Sequence, residues 1–313
     1  YAAHSSGIEP GWPPLTVTYA DYALWQRQLL EGDRDSNDGT AADLRYWSER
    51  LAGAAPVLDL PVDRPRPTRR DLLGARYEFA LGADASRALD RLAKEESATL
   101  FMTAHAALAL LLVRMSGTDE VVIGTPVDGR THAALDDVVG LFVNTIALHT
   151  RIRGDMSFRT LLAKIRRDDL DAMSHSEIPF DRVVDALDPA RSSAYTPVYQ
   201  VLLEMRAGAA TPRLPGLDVE QIDLGDRIAK TDLQLYVTDT PDSGVTDGGL
   251  TFGFVYATDI FDASTIEDLA SRFLRLLENA TTRPDEVFAA QNLLSGVELG
   301  LVPCVGGSGV GGA

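Results

Sequence analysis

The side chains best suited to chemistry in this sequence are concentrated between residues 121 and 150. Two apolar runs, Val121–Ile123 and Leu141–Leu148, enclose a turn-rich segment that carries charged and polar residues, namely Asp128, Arg130, His132, Asp136 and Asp137. Apolar runs rich in β-branched and aromatic residues and bounded by glycine or proline are typical of buried strands. Loops that leave such strands are where α/β proteins usually hold their functional residues. We therefore expect the functional site around this segment.

Three residues of this stretch have side chains that could serve a site directly. Arg130 carries a planar guanidinium whose fork of donors matches a carboxylate, either in an ion pair across the molecule or in a solvated surface pair. Asn144 and Thr145 combine donors and acceptors within an apolar strand, so both need hydrogen-bond partners, either backbone groups or a bound molecule. Gly124 and Gly140 are expected where the backbone turns or closely approaches another group.

The sequence contains five histidines, and no two of them are adjacent: His4, His105, His132, His149 and His175. His105 lies inside an apolar helical run and is predicted to be a hydrogen-bonded core residue. The sequence contains no G-x-S-x-G, H-E-x-x-H or phosphate-loop motif. Cys304 is the only cysteine, which excludes an internal disulfide and a multi-cysteine metal site. No metal site is predicted.

Helical and strand-like segments alternate along the chain, which predicts an α/β layered fold. Helices are expected at Tyr19–Leu30, Ala41–Leu51, Asp84–Glu96, Thr99–Met115, Ser157–Met173, Pro179–Leu187 and Ser264–Asn279. Besides the two apolar runs above, strands are expected at Arg76–Leu81, Val198–Met205, Leu217–Leu224, Leu233–Val237 and Leu250–Tyr256. Pro56–Pro67 should be extended, because proline lacks a backbone donor and restricts the residue before it.

Composition limits the classes of partner. The chain has 313 residues, 45% of them hydrophobic, which is enough to bury a sizeable core. A formal net charge of −17 argues against nucleic-acid binding. No apolar run is long enough for a membrane span, and a cytoplasmic location is the expectation. The densest basic group is compatible with a docking patch for an acidic partner or with a solvated proline-rich linker: Arg64, Arg66, Arg69 and Arg70.

Five segments, taken in order, resemble motifs of nonribosomal peptide synthetase condensation domains. They are YADYALWQ (Tyr19–Gln26), IGTPVDGR (Ile123–Arg130), VGLFVNTIAL (Val139–Leu148), HSEIPFDRVVDAL (His175–Leu187) and RSSAYTPVYQVLLEM (Arg191–Met205). The family's double-histidine motif, which precedes the first of these segments, has no counterpart in this sequence. The resemblance therefore implies the C-terminal lobe of a condensation domain, with the N-terminal lobe absent.

The resemblance also implies a fold and a division of the chain. The expected fold is the α/β layered sheet of chloramphenicol-acetyltransferase-like, CoA-dependent acyltransferases, and this chain would form one lobe of a V-shaped, two-lobed domain. Residues 1–70 would contain inter-lobe helices and an extended linker, residues 71–295 the C-terminal lobe, and residues 296–313 a flexible glycine-rich tail. Several aromatic residues would then pack against the absent lobe: Tyr22, Trp25, Tyr46 and Trp47.

The reaction implied by the resemblance is amide formation between two carrier-tethered substrates, in which an aminoacyl thioester attacks a donor acyl or peptidyl thioester. No cofactor would be covalently bound, because both substrates arrive on 4′-phosphopantetheine arms. The expected partners are carrier protein domains, the absent N-terminal lobe and a neighbouring adenylation domain. The segment Gly140–Thr145 keeps the G-x-F-V-N-T pattern, which favours a peptide-bond-forming domain over epimerisation and heterocyclisation relatives.

The same resemblance implies roles for individual residues. No catalytic residue is expected in this sequence, so the fragment alone should be inactive. Arg130 would pair with the aspartate of the histidine motif, with Asn144 and Thr145 in support. The candidates for the acceptor tunnel, of which the last is favoured for a structural role, are Thr196, Gln200 and His175. Two other functions stay open: a non-catalytic condensation-like module that recruits a tailoring enzyme or carrier protein, and a free-standing acyltransferase.

Overall fold

A mixed β-sheet of six strands runs through the chain in the computed structural model, which describes residues 1–31, 39–190, 192–206, 212–220, 222–223, 225–240 and 249–290. The strands are β1 (Gly74–Leu81), β2 (Glu120–Asp128), β3 (Val143–Arg151), β4 (Val201–Arg206), β5 (Leu233–Thr240) and β6 (Gly249–Ala257). Their order across the sheet is β1-β6-β5-β4-β2-β3. β4 pairs in parallel with β2 and β5, and the other neighbours are antiparallel. The α/β class is confirmed.

Helices precede the sheet and connect its strands. Within the described residues they are α1 (Ala2–Ser5), α2 (Tyr19–Glu31), α3 (Gly39–Leu51), α4 (Ala83–Glu95), α5 (Leu100–Ser116), α6 (Phe158–Ser174), α7 (Phe180–Leu187) and α8 (Ala263–Thr282). Thr99 and Ser157 cap α5 and α6, because their side chains accept hydrogen bonds from backbone N–H groups of the first turn. The predicted helices are confirmed, with small displacements of their ends.

The main core lies between one face of the sheet and the helices α4, α5, α6 and α8. Ile123 and Leu235 are fully buried on that face, and they pair across the sheet with Val201 and Phe254, which are also fully buried. Because side chains alternate between the two faces of a strand, the intervening residues project to the opposite face. A second, smaller cluster around Trp47 joins α3 and α7 to β3.

His105 is part of the core, on α5. Its Nδ1 lies 3.0 and 3.1 Å from the two carboxylate oxygens of Asp169, and its Nε2 lies 3.2 Å from the hydroxyl of Thr150. All three side chains are buried. Since an ionised carboxylate only accepts hydrogen bonds, Nδ1 is the donor in this contact. The prediction of a hydrogen-bonded core histidine is confirmed.

Expectations about three strands are wrong in part. The described residues of Leu217–Leu224 form no strand, and Leu217 and Ile222 are exposed, so no neighbouring strand covers an apolar face there. β4 begins at Val201 rather than at Val198, because Val198 has a φ of +73°, outside the extended region. β3 begins at Val143, because the preceding residues belong to a loop.

Two aromatic residues assigned to an inter-lobe surface are instead buried by this chain. The Tyr22 ring lies 4.7 Å from the Phe142 ring, and its side chain is 8% exposed. Trp47 is 2% exposed, and its Nε1 donates to the carbonyl of His175 over 2.8 Å. The expectation of an exposed surface is therefore wrong for both, although Trp25, next to Tyr22, is 43% exposed.

Hydropathy along the described helices reveals no single helix with the length and apolar character of a membrane span. α4 and α5 meet that measure only as a pair, and they are bent by 104° at their junction. The predicted glycine-rich tail at 296–313 lies outside the described residues.

Candidate functional site

Arg130 lies in the loop that leaves β2, just after the strand ends at Asp128. Its guanidinium donates to the carbonyls of Leu135 and Val138 over 3.3 and 3.2 Å and lies 4.3 Å from the centre of the Phe142 ring. The Asp128 carboxylate is 3.5 Å away, but its side chain is 67% exposed, so this ion pair adds little stability. The loop is therefore folded around the guanidinium of Arg130.

A groove of about 220 Å³ opens between α2, the Arg130 loop and the turn that precedes α7. The hydroxyl of Tyr19 donates to the carbonyl of Leu141 over 2.9 Å, which joins α2 to the loop. The Tyr19 ring covers Gly140 so closely that a Cβ atom there would overlap it. Gly140 is therefore required for the close approach of α2, as predicted for this position.

The rim of this groove exposes an unusual amount of apolar surface. Val139, Leu141 and Val143 are 93%, 73% and 58% exposed, and Trp25 on α2 is 43% exposed. Apolar residues that are clustered in an exposed patch usually mark an interaction surface. Sequence patterns alone did not separate these rim residues from buried strand residues, because both are valine and leucine in one apolar run.

Asn144, the second residue of β3, is held by the turn before α7. Its Nδ2 donates to the carbonyls of Ser176 and Ile178 over 2.9 and 2.7 Å, and its Oδ1 accepts from the Phe180 N–H over 3.1 Å. All three of these hydrogen-bond partners of the Asn144 side chain are backbone groups. Asn144 also lines the groove, so the same side chain holds the turn and shapes the groove.

Thr145 lies near the hydroxyl of Tyr199, a residue that sequence reasoning did not single out. Burial raises the pKa of Tyr199, and the neighbouring Thr145 side chain offsets part of that rise. The Tyr199 ring lies against Gly124, where a Cβ atom would overlap it. A glycine inside a strand is a recognised signal of such a close approach, so Gly124 indicated a close neighbour without identifying it.

His175 ends α6 and fastens it to α3. Its Nδ1 lies 2.6 Å from a carboxylate oxygen of Asp43, and its ring stacks on the Tyr46 ring with a centroid distance of 4.0 Å. Its carbonyl accepts the hydrogen bond from Trp47. These contacts involve α3 alone and agree with the structural role favoured for His175.

Gln200 joins the start of β4 to the linker, which we define as residues 56–70. Its side chain is 2% exposed. Its Oε1 accepts from the Leu58 N–H over 2.7 Å, and its Nε2 donates to the carbonyls of Pro56 and Thr196 over 3.1 and 3.0 Å. The hydroxyl of Thr196 donates to the carbonyl of Lys230 over 3.2 Å. Both predicted acceptor-side residues are thus bonded to the protein backbone.

A strained turn lies between these two residues. The N–H of Tyr199 donates to the carbonyl of Pro197 over 2.9 Å, which closes a three-residue turn around Val198. Val198 has a φ of +73°, a conformation that is costly for a β-branched residue. Such strain persists only where surrounding contacts maintain it, and the bonds of Gln200 on either side do so here.

The linker arginines form structural contacts. Arg66 donates two hydrogen bonds, of 2.7 and 2.5 Å, to the carboxylate of Asp232, whose side chain is 2% exposed. Arg64 bonds Asp262 at the start of α8, and Arg70 donates to three carbonyls at residues 229–231. The sequence allowed two interpretations, a solvated linker or a docking patch, and the contacts of these three arginines fit neither of them.

The predicted site residues do not form one cluster. Asn144 and the Arg130 loop meet at the groove, whereas Thr196 and Gln200 lie beside the linker and His175 packs on α3. The described residues include no group of three or more His, Cys, Asp or Glu side chains able to hold a metal ion. The side-chain donors of Asn144, Thr196 and Gln200 are engaged with backbone carbonyls, so these residues shape the site, and Arg130 Nη1 contacts only the exposed Asp128.

Comparison with known proteins identifies the family. The family model named Condensation domain matches residues 1–299. The chain therefore belongs to the condensation domain family, as its motifs predicted. It is 40% identical to the probable non-canonical nonribosomal peptide synthetase CymA of Salinispora arenicola over 98% of this chain. That match covers 4% of CymA, so the chain spans a small part of this relative's length.

Solved structures agree with this assignment. The chain resembles the X-domain in its complex with OxyB from teicoplanin biosynthesis, with a TM-score of 0.85 and 28% identity over 94% of this chain and 64% of that chain. It shares the fold of the first condensation domain of the calcium-dependent antibiotic synthetase, with a TM-score of 0.71, 20% identity and coverage of 94% and 61%. The CoA-dependent acyltransferase-like fold is thereby confirmed.

Proposed function

We propose that this chain contributes to a condensation domain that forms an amide bond between two carrier-tethered substrates. The observation that best supports the proposal is the pairing of β2 with β3, the strands that carry both central motifs. Their register sets Pro126 opposite Thr145 and brings the Arg130 loop and Asn144 to one groove. The paired strands therefore hold the two central motifs next to each other at the groove, which is the arrangement that the proposed reaction requires.

In the proposed reaction, the amine nitrogen of the acceptor thioester attacks the carbonyl carbon of the donor thioester. The carbon–nitrogen bond forms through a tetrahedral oxyanion, the carbon–sulfur bond breaks, the donor thiol leaves, and the nitrogen loses a proton. Holding two reactants at attack distance can lower a barrier by roughly 7–11 kcal/mol, and positioned donors further stabilise the oxyanion. We infer that this chain acts mainly by positioning, as one wall of the space between the substrates.

Arg130 is proposed to hold the carboxylate of the histidine motif that other condensation domains carry. Its Nε and Nη2 groups are occupied by backbone carbonyls, whereas Nη1 contacts only the exposed Asp128 at 3.5 Å. The side chain is 29% exposed, so a carboxylate can approach it. A planar guanidinium fits this role better than an ammonium, because it presents its donors in a fixed geometry. Asn144 and Thr145 would support the site by holding the adjacent turn and Tyr199.

The acceptor side is proposed to lie along the segment that contains Thr196 and Gln200. Gln200 would act through the shape of the strained turn rather than by contact, because its side chain is buried and fully engaged. The substrates would arrive on 4′-phosphopantetheine arms of carrier protein domains, beside an adenylation domain of the same synthetase. His175 would keep α3 in place for this arrangement.

A product assay tests this proposal. The complete domain that contains this chain, supplied with donor-loaded and acceptor-loaded carrier proteins, should form the amide product above the uncatalysed rate. Residues 1–313 alone should form none, because they contain no adjacent histidines. Product from residues 1–313 alone would refute the assignment of catalysis to a histidine motif outside this chain, and no product from the complete domain would refute the function itself.

A second candidate function is non-catalytic recruitment of a tailoring enzyme. The observation in its favour is the similarity to the X-domain that forms a complex with OxyB, at a TM-score of 0.85. The two candidates predict different results in the same product assay. An intact, folded domain that forms no amide but captures a tailoring enzyme from the same biosynthetic system would favour recruitment, and an active domain would favour condensation.

A further inference from the structure

The guanidinium of Arg130 lies on a small apolar cluster that is separate from the main core. Four buried side chains form this cluster: Tyr22, Leu135, Val138 and Phe142. The carbonyls of Leu135 and Val138 accept hydrogen bonds from Arg130 over 3.3 and 3.2 Å. The guanidinium carbon lies 4.3 Å from the centre of the Phe142 ring. Three residues of the cluster therefore contact the guanidinium and fix its orientation.

The fourth residue of the cluster, Tyr22, comes from a different part of the chain, the first turn of α2. Its ring centre lies 4.7 Å from that of Phe142, and the two side chains are 8% and 4% exposed. Aromatic rings at this distance attract each other in addition to the effect of the area that they bury. The loop of residues 129–142 therefore needs a ring from α2 to complete the cluster that supports Arg130.

A second tyrosine of α2 holds the far end of this loop. The hydroxyl of Tyr19 donates to the carbonyl of Leu141 over 2.9 Å. The Tyr19 ring meets the Phe142 ring edge to face, with 5.4 Å between their centres and 84° between their planes. The N–H of Gly129, the residue before Arg130, donates to the carbonyl of Phe142 over 3.0 Å. Phe142 is thus fixed by two rings of α2 and by the base of the loop.

We propose that Tyr22 is a positioning residue for the reaction, which acts through Phe142 on the guanidinium of Arg130. The inference rests on the proposed function, in which Arg130 holds the carboxylate of the histidine motif. A guanidinium presents its donors in one plane, so a rotation of that plane moves Nη1 out of line with the carboxylate. Small displacements of a positioning group slow a reaction that depends on the geometry of attack.

The ring of Tyr22, and not its hydroxyl, has this role. The hydroxyl accepts a hydrogen bond from Nε2 of Gln26, one turn further along the same helix, over 3.1 Å. That contact is internal to α2. Tyr22→Phe should therefore keep Arg130 in place, whereas Tyr22→Leu removes the ring and leaves a gap beside Phe142.

Steady-state kinetics of the complete domain with loaded carrier proteins test the proposal. Tyr22→Leu should lower kcat by roughly fivefold to tenfold and leave KM unchanged, because the substrates still bind but the reacting groups are less well oriented. Tyr22→Phe should keep most of the rate. In the Arg130→Ala background, Tyr22→Leu should cause no further loss, because two changes that act through one group are not additive.

A spectroscopic readout on residues 1–313 makes the test independent of activity. The Nε–H of Arg130 is bonded to the carbonyl of Leu135 and lies close to the Phe142 ring. The ring current should therefore shift its NMR signal, which is identified by its absence from Arg130→Ala. Tyr22→Leu should move this signal towards that of a solvated arginine and speed its exchange with water, whereas Tyr22→Phe should leave it in place.

The matched control is Tyr256→Leu, which removes a tyrosine ring of similar burial, 5% exposed, from the main core on β6. It should lower the urea midpoint and leave both kcat and the Arg130 signal unchanged. The proposal is overturned if Tyr22→Leu keeps the original kcat, if Tyr256→Leu loses as much, if the loss persists in the Arg130→Ala background, or if the Arg130 signal does not move.

Failure of the proposed function would be distinguishable from failure of this inference. It would appear as no amide product from the unmodified domain, which would also remove the role of Tyr22 in the reaction. The Arg130 signal would still show whether Tyr22 sets the position of the guanidinium. Amide product from the unmodified domain, with no effect of Tyr22→Leu on kcat or on that signal, would overturn the inference alone.

Discussion

The linker and the loop of residues 129–142 both depend on an arginine, but they use it in opposite ways. In the linker, Arg66 forms two hydrogen bonds with Asp232, whose side chain is 2% exposed. In the loop, Arg130 binds two backbone carbonyls and faces a carboxylate that is 67% exposed. Breaking a buried ion pair costs several kcal/mol, whereas an exposed pair contributes about 0–1 kcal/mol.

This difference shows that an arginine contributes to stability when its partner is buried. The density of arginines along the sequence does not determine that contribution. The linker is fixed at several points, through Gln200 at one end and Arg70 at the other. The loop is fixed mainly to α2 and leaves Val139 and Leu141 exposed. We therefore assign the linker to stability and the loop to function.

The largest effect is expected for Arg66→Ala, which leaves the Asp232 carboxylate buried without its partner. The hydrogen bonds to Asp232 raise the pKa of Arg66, so the arginine stays charged in the folded protein. The loss of one member of such a pair should reduce the free energy of unfolding by about 3–5 kcal/mol. Arg66→Lys should recover only part of it, because an ammonium cannot form both bonds in the same geometry. The measurement is a urea midpoint.

Arg87→Ala is the control for this prediction, because Arg87 pairs with an exposed aspartate on the surface of α4. It should change the free energy of unfolding by no more than about 1 kcal/mol. An Arg66→Ala variant as stable as Arg87→Ala would mean that the linker is a solvated segment, and the contrast between linker and loop would disappear.

Asn144→Ala should have the next largest effect. The variant leaves the Phe180 N–H and two carbonyls without their partner, at a cost of about 1–3 kcal/mol. The turn before α7 should loosen, so hydrogen exchange of the Phe180 amide should be faster than in the unmodified protein, whereas amides in β5 should keep their original rates. If that amide exchanges at its original rate, Asn144 does not hold the turn.

A smaller, pH-dependent effect is expected for Asp63→Asn in the linker. The Asp63 carboxylate accepts the N–H of Asp262 and the hydroxyl of Thr265 at the start of α8, each over 2.7 Å. The bond from the Asp262 backbone is the main cause that lowers the pKa of Asp63. A lowered pKa stabilises the fold above the ordinary aspartate pKa, and that contribution is lost as the pH falls through the lowered value.

The difference in unfolding free energy between the original protein and Asp63→Asn should therefore be no more than about 1 kcal/mol near pH 7, because Asp63 is exposed and solvent screens its interactions. The difference should shrink towards pH 3. Denaturant unfolding at both pH values measures it. A difference that is independent of pH would show that the charge of Asp63 does not stabilise α8.

The fold was predictable where local pattern and burial agree. α5 is apolar on all sides and buried over Met102–Leu112, and Ser157 caps α6 as its position indicated. The prediction failed at Leu217–Leu224, whose pattern resembles a strand, although its described residues form none and Leu217 and Ile222 are exposed. Pairing partners are distant in sequence, so pattern alone cannot establish whether a strand-like segment joins a sheet.

The site was predictable in its location and only partly in its contacts. The two central motifs lie on paired strands beside a groove, as the segment of residues 121–150 suggested. The linker arginines were misassigned, because Asp232 lies 166 residues away from Arg66 along the chain and no local pattern connects them. Tyr199 was missed for the same reason, since Gly124 in β2 indicated only that some group approaches the strand closely.

The most direct test of the contrast between linker and loop is the single-turnover rate of amide formation by Arg130→Ala in the complete domain. We expect a loss on the order of tenfold or more, because the oriented carboxylate contact is gone. The free energy of unfolding should fall by about 1–3 kcal/mol, less than for Arg66→Ala, because Arg130→Ala leaves two backbone carbonyls without their donor but no buried carboxylate. A rate equal to that of the unmodified domain would contradict the account and make Arg130 a residue of the loop's structure alone.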